Sequence, residues 1–319
     1  MTKQDQASGD NSINIQAGGE VTINQGITYF DARQIAEDVY KNNFLKFAGV
    51  AEEIAKKRFD EITEAFLRKL KINNKDGVNQ AKEPDFLYAL FTVQKEYIRC
   101  GDKELGNLLV DLLVDRTKQP SRSILQIVLN ESLSVAPKLT TDQLAALSIV
   151  FYFKYTVNDG LLNHVAFYGD LDKYIQPFVN LLEKKSSCYQ HLEYSGCGRM
   201  THPMFVSLEK TILNRYSGLF SIGFDEAQYL SKKITIPFTH PIFKECLNDP
   251  SKKQIIYLNE KNIKEDAEYR GVSAEDVYKL IALQREHIMN EEMVRKAIVS
   301  ARPYMEKVFD TWKEALGYF

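Results

Sequence analysis

No run of this chain is apolar for long enough to cross a bilayer. The longest, such as Leu144 to Phe153, falls well short of the roughly 20 residues a spanning helix needs. The opening residues, Met1 to Asn11, are polar and carry both charge signs. They hold no basic segment followed by an apolar one, so a secretory leader is not expected. Cysteine is scarce. Cys100, Cys188, Cys197 and Cys246 are four in 319 residues, too few and too scattered for a disulfide framework. They fit the reduced thiols of a cytosol. An excess of positive charge is missing too: the formal net charge is -2 and the pI about 6.3. The chain as a whole has no basic field to draw it to nucleic acid.

Familiar catalytic signatures are also missing. There is no Gly-Lys-Ser/Thr phosphate loop, no Gly-x-Ser-x-Gly elbow and no His-Glu-x-x-His pair. Gly196-Cys197-Gly198-Arg199-Met200-Thr201 lacks a third glycine and follows no strand, so a dinucleotide role is not expected. These absences predict a soluble cytoplasmic protein with no membrane segment and no legible enzyme machinery. At 44% hydrophobic and 26% charged residues, the chain has material for one large core or two smaller ones.

What is present begins at Ser12. Ser12 to Asn24 alternates apolar and polar residues around Gly18-Gly19, the pattern of two short strands with one apolar face. A three-residue loop, Gly18-Gly19-Glu20, pairs Ala17 with Val21 and Ile15 with Ile23. All apolar side chains then share one face. A continuous extended rung in a multi-chain β-prism is the other arrangement. An isolated ribbon is marginal in water, so Ile13, Ile15, Val21 and Ile23 need a partner surface, and a second copy is the expected one.

Almost everything after Gly26 reads as helix. Thr28 to Asp31 resembles a capping box. From there to Leu70 apolar residues, Ile35 and Val39 among them, recur at helical spacing with no proline. This predicts one long helix or two meeting at Gly49, acting as an oligomer seam together with the ribbon. Residues 72–83 are polar and read as a hinge. Pro84, the Gly101-Asp102 turn, Pro120, Pro137, the Thr140–Gln143 capping box, Asn158-Asp159-Gly160 and Pro177 punctuate helices in the rhythm of a bundle or α-solenoid. Ile234–Pro237 and Gln254–Leu258 are expected to pair as a small β insert. A last helix, 291–316, is expected to kink near Pro303.

The expected organisation is thus 1–27 as a disordered start plus a β oligomerisation element, 28–72 as a long helix or helix pair, and 84–319 as a mainly α body. Its β content is limited to the first ribbon and the insert near 234–258.

Two constellations invite chemistry. Cys188-x2-His191-x5-Cys197-x4-His202 gathers the ligand types zinc prefers, but the spacing matches no standard finger. No cofactor is expected, zinc on these four residues being the exception to test. Asp172 with Glu183-Lys184-Lys185 has the residue types of a metal-dependent nuclease, on a segment that reads as helix rather than strands. A solvated helix end is the simpler reading. Phe151-Tyr152-Phe153-Lys154-Tyr155, and Tyr216 with Phe220 and Phe224, could stack bases; at helical spacing they read as core.

Asn14 to Ile23 followed by Tyr29-Phe30-Asp31-Ala32-Arg33-Gln34-Ile35-Ala36 resembles a module at the front of diverse bacterial proteins, some found among mobile-element and phage-defence genes. Gly101 to Arg116 and Ile127 to Glu131 resemble one uncharacterised bacterial family that carries this front end. The resemblance covers most of the chain and implies a bacterial cytosolic protein with a role in antiviral defence. It brings no catalytic residues with it. The expected function is a non-enzymatic homo-oligomeric scaffold or sensor, whose partners are its own copies and a partner protein or phage component. An effector enzyme or toxin, metal-assisted and with a helical active site, is the alternative.

Overall fold

A computed structural model describes residues 27–43, 50–119, 121–200, 205–256 and 263–318. The architecture is mainly α, as the periodicity predicts. The chain divides into two compact units, Met1–Lys138 and Leu139–Phe319.

The first unit contains α1 (Tyr29–Asn43), α2 (Val50–Asn73), α3 (Pro84–Cys100), α4 (Lys103–Thr117) and α5 (Ile124–Val135). The ribbon residues Ile13, Ile15, Val21 and Ile23 lie outside the described residues, as does the Gly49 junction. The capping box at Thr28 is present: Thr28 N–H donates to Asp31 Oδ2 at 2.9 Å, and Asp31 N–H to Thr28 Oγ1 at 3.2 Å. α2 turns Phe66, Leu67 and Leu70 into a core shared with Phe86, Leu90 and Val93 of α3 and Leu109 and Leu113 of α4. Ile35 of α1 packs on the same core, and Val39 is half-buried.

The predicted turn between α3 and α4 is built by Gly101 in the left-handed region (φ 67°) and by Asp102, whose carboxylate accepts from the N–H groups of Glu104 and Leu105. The polar stretch read as a hinge is instead a packed 3-10 helix, Lys75–Lys82. A Cβ on Gly77 would lie 2.7–2.8 Å from Thr117, Asn74 and Leu70. Only glycine lets this backbone approach so closely, and Asn74 Nδ2 then donates to Thr117 Oγ1 at 2.9 Å.

The second unit contains α6 (Thr141–Tyr155), α7 (His164–Tyr174), α8 (Gln176–Val179), α9 (Ser186–Tyr194), α10 (Leu208–Tyr216), α11 (Glu226–Ser231), α12 (Ile263–Tyr269), α13 (Ala274–Glu286), α14 (Glu291–Ala301) and α15 (Met305–Glu314). Phe153, Phe167, Leu208, Phe220, Phe309 and Trp312 form its main core. A second cluster, with Phe224, Tyr229, Phe243, Val277 and Leu280, underlies α11 to α13. The capping box of α6 forms as predicted, with Thr140 N–H donating to Gln143 Oε1 at 3.0 Å.

Two expectations need correcting. The last helix is two helices, α14 and α15. Arg302, the residue before Pro303, leaves the helical region (φ -139°, ψ 85°), as the clash with a proline ring favours. The β insert exists within 234–258, but its first strand lies later than expected. β1 (Phe243–Glu245) pairs antiparallel with β2 (Lys253–Ile255), with Phe243 opposite Ile255. The Ile234–Ile236 backbone is bonded by side chains instead of a ladder. Tyr229 Oη–H donates to the carbonyls of Ile234 and Ile236, and Thr235 N–H donates to Asp276 Oδ2 at 3.2 Å.

Candidate functional site

The most unusual element is α5, which buries Leu129 and Leu133 together with a polar residue and leaves an apolar edge exposed. Its sequence, Ile124-Leu125-Gln126-Ile127-Val128-Leu129-Asn130, alternates so that Gln126 is only 8% exposed while Ile124 is 82% and Val128 47% exposed. Leu125 is exposed beside them. The inward polar groups have a reason to be there. Arg116 of α4 is fully buried, and its guanidinium spends its donors on three acceptors: Asp85 Oδ2 at 2.5 Å, Asn130 Oδ1 at 3.1 Å and the Gln119 carbonyl at 3.1 Å. Asn130 Nδ2 returns to Asp85 Oδ2 at 3.0 Å, and Gln126 Nε2 donates to the Gln119 carbonyl at 3.1 Å. The hydrogen bond from Arg116, then that from Asn130, holds the Asp85 carboxyl below the usual aspartate range. This latch joins α3, α4 and α5 and fixes the rotation of α5. The apolar edge of α5 is left facing solvent, and contiguous exposed apolar side chains of this kind mark protein contact surfaces.

A cavity of about 230 Å³ in the second unit lies against α10, α14 and α15. Ser207, Glu209, Glu291, Arg295, Phe309 and Trp312 are among its lining residues. Arg295 donates to Glu306 at 2.9 Å and Asp310 at 2.6 Å, its Nη1 sits 3.7 Å from Glu209, and its guanidinium lies 5.2 Å from the Phe309 ring centre. Burial pushes the Glu209 carboxyl above the ordinary glutamate range, against the lowering effect of Arg295. An acid whose folded value is raised costs stability where it must ionise. That cost is therefore relieved as the pH falls through the raised value. Glu209→Gln is expected to raise the melting temperature at pH 7 and to flatten its rise on mild acidification. A variant with the parent's pH profile would show that another group titrates there.

The zinc constellation is only partly described. Gln143 Nε2 lies 3.0 Å from His191 Nδ1 and donates to the Cys188 carbonyl at 2.8 Å. The Cys188 thiol is half-buried and pushed up by burial. Cys197 donates to the Ser195 carbonyl. Among the described residues no three His, Cys, Asp or Glu side chains form a group that could hold a metal ion. His202 lies outside those residues.

The residues read as a nuclease pattern are dispersed into other work. Asp172 accepts from Arg302 Nε and Nη2 at 2.6 and 2.7 Å and from Tyr304 Oη at 2.8 Å, tying α7 to the start of α15. Lys184 pairs with Glu314, and Lys185 with Glu183. Phe153, Phe220 and Phe224 are core, while Phe151 and Tyr155 stack on the surface with ring centres 6.0 Å apart.

Among the described residues no helix is long and apolar enough to cross a membrane. A family model described only as ":-like" matches residues 26–316. The match takes in most of the chain, which therefore belongs to that uncharacterised family. Neither the comparison with curated proteins nor that with solved structures gave a match.

Proposed function

We propose that this chain is a non-enzymatic, homo-oligomeric scaffold or sensor of bacterial antiphage defence, working in the cytoplasm. Residues 12–24 and α1 join the copies, and the helical units offer surfaces to a partner protein or phage component. Assembly of several copies turns weak contacts into avidity. The observation that carries this reading is the exposed apolar edge of α5. A helix that buries Gln126 yet exposes Ile124, Leu125 and Val128 is shaped for a contact outside its own unit. The resemblance of Asn14–Ile23 and Tyr29–Ala36 to a module at the front of diverse bacterial proteins, some found among phage-defence genes, supports the setting.

The test is phage challenge of a bacterial host expressing the full chain. The parent is expected to reduce plating of at least one phage in a panel by tenfold or more. Val128→Asp should abolish that protection while moving the melting temperature by no more than a degree or two, since exposed substitutions change stability by about 0.5 kcal/mol or less. Full protection by Val128→Asp, or none by the parent on any phage, would refute the reading. The rival, an effector enzyme, rests on the raised carboxyl of Glu209 in its cavity. Loss of protection in Glu209→Gln with none in Val128→Asp would favour it.

A further inference from the structure

The described chain begins at Ile27, whose side chain packs on the core of the first unit. Ile27 therefore fixes the point at which the preceding segment joins the first unit. Beside that place lies a groove of about 360 Å³ lined by Tyr29 of α1 and by Glu64, Arg68 and Lys71 of α2. Two exposed apolar residues neighbour its lining residues in sequence. Phe30, next to Tyr29, is 72% exposed, and Ile72, one helical turn after Arg68, is 75% exposed. The charges are lopsided as well. Glu64 is engaged by Arg33 at 3.5 Å, whereas Arg68 and Lys71 have no ion-pair partner among the described residues.

We propose that this groove seats residues 12–24 of a second copy of the chain, so that two protomers exchange their amino-terminal ribbons. The inference rests on the proposed homo-oligomer and says where its seam lies. Three properties of the segment match the groove. In the register read from the sequence, Ile13, Ile15, Ala17, Val21 and Ile23 share one apolar face, which the exposed Tyr29 would cover. Its one charge, Glu20, is opposite in sign to Arg68 and Lys71. Its length suits the distance: Ile23 is four residues before Ile27, so the two Cα atoms lie within about 14 Å, and a five-residue strand adds about 17 Å.

Exchange is favoured over a seat on the same chain because the groove begins only two residues past the anchor. A seat in its own groove would leave only Asn24-Gln25-Gly26 to join the ribbon to Ile27. A short connection of this kind promotes swapping.

The experiment uses the full chain with the exposed Cys100 changed to serine. One population carries Val21→Cys and the other Ile72→Cys; they are unfolded, mixed, refolded and treated with a short bismaleimide. The expected result is a cross-linked dimer of the two different chains, at least tenfold more abundant than with Tyr278→Cys, an exposed site on α13, in place of Ile72→Cys. Arg68→Glu should weaken the cross-link and Glu20→Arg in the other chain should restore it.

A third chain carrying both Val21→Cys and Ile72→Cys is treated alone; a link formed within it, at monomer mass, overturns the exchange. A link no stronger than the Tyr278→Cys control overturns the groove assignment. If the uncross-linked parent is still an oligomer in that case, the proposed homo-oligomer stands without it; a monomeric parent removes both.

Discussion

Truncating Trp312 to alanine is expected to cost the second unit about 3–5 kcal/mol, the range for removing a large aromatic side chain from a packed core. Trp312 is 1% exposed, packs edge-on to Phe153 with ring centres 5.8 Å apart, and donates Nε1–H to the Val206 carbonyl at 3.0 Å. It holds α15 against α6 and against the segment entering α10. The alanine variant loses that contact area, leaves a cavity and strands a carbonyl. For a unit of this size the melting temperature should fall by roughly 10 °C, read by circular dichroism. Trp312→Phe keeps most of the volume and should cost about 1–2 kcal/mol. A fall of only a degree or two in the alanine variant would mean that this core is not close-packed. Trp312 is the chain's one tryptophan, so its fluorescence in the parent reports the unfolding of this unit alone.

The second large effect belongs to the first unit. Arg116→Ala should destabilise it by about 3 kcal/mol, because a fully buried side chain is removed from the packed unit and its acceptors lose their donor together. Asn130 Oδ1 and the Gln119 carbonyl would be left without their donor, and Asp85 without its counter-ion. Arg116→Lys should recover little, since a single ammonium cannot reproduce a planar fork that reaches three acceptors. The pH dependence gives a second readout. Asp85 has a depressed folded value, so its contribution is present above the ordinary aspartate range and is lost as the pH falls through the folded value. Arg116→Ala should remove that acid-sensitive part. Hydrogen exchange over residues 84–135 checks both expectations. Unchanged protection in Arg116→Ala would show that apolar packing alone orients α5.

How much of this was legible in the sequence follows from the range of each cause. Local causes were readable. The capping boxes at Thr28 and Thr140, the Gly101-Asp102 turn and the interruption at Pro177 depend on residues a few positions apart, and all stand where the sequence puts them. Misreadings came where a distant side chain decides. The stretch 72–83 looks like a linker until Gly77 is seen against Thr117. Ile234–Ile236 looks like a strand until Tyr229 and Asp276 take its backbone groups. The outward face of α5 was hidden for the same reason. An apolar run such as Ile124–Leu129 shows no preferred side, and only Arg116 and Asp85, 14 and 45 residues from Asn130, choose which edge turns in. One signal could have found it: Gln126 and Asn130 share a helix face in an otherwise apolar segment, as side chains bonded to a common partner do.

The central claim is that the chain assembles through its amino-terminal ribbon. Its most direct test is the mass in solution, by light scattering after size separation, of the full chain and of the chain beginning at Ile27. The full chain is expected at a fixed multiple of 36.6 kDa, and the shortened one at a smaller multiple or as a monomer. A full chain already monomeric at micromolar concentration, or a shortened chain with the same subunit number as the parent, would contradict the account.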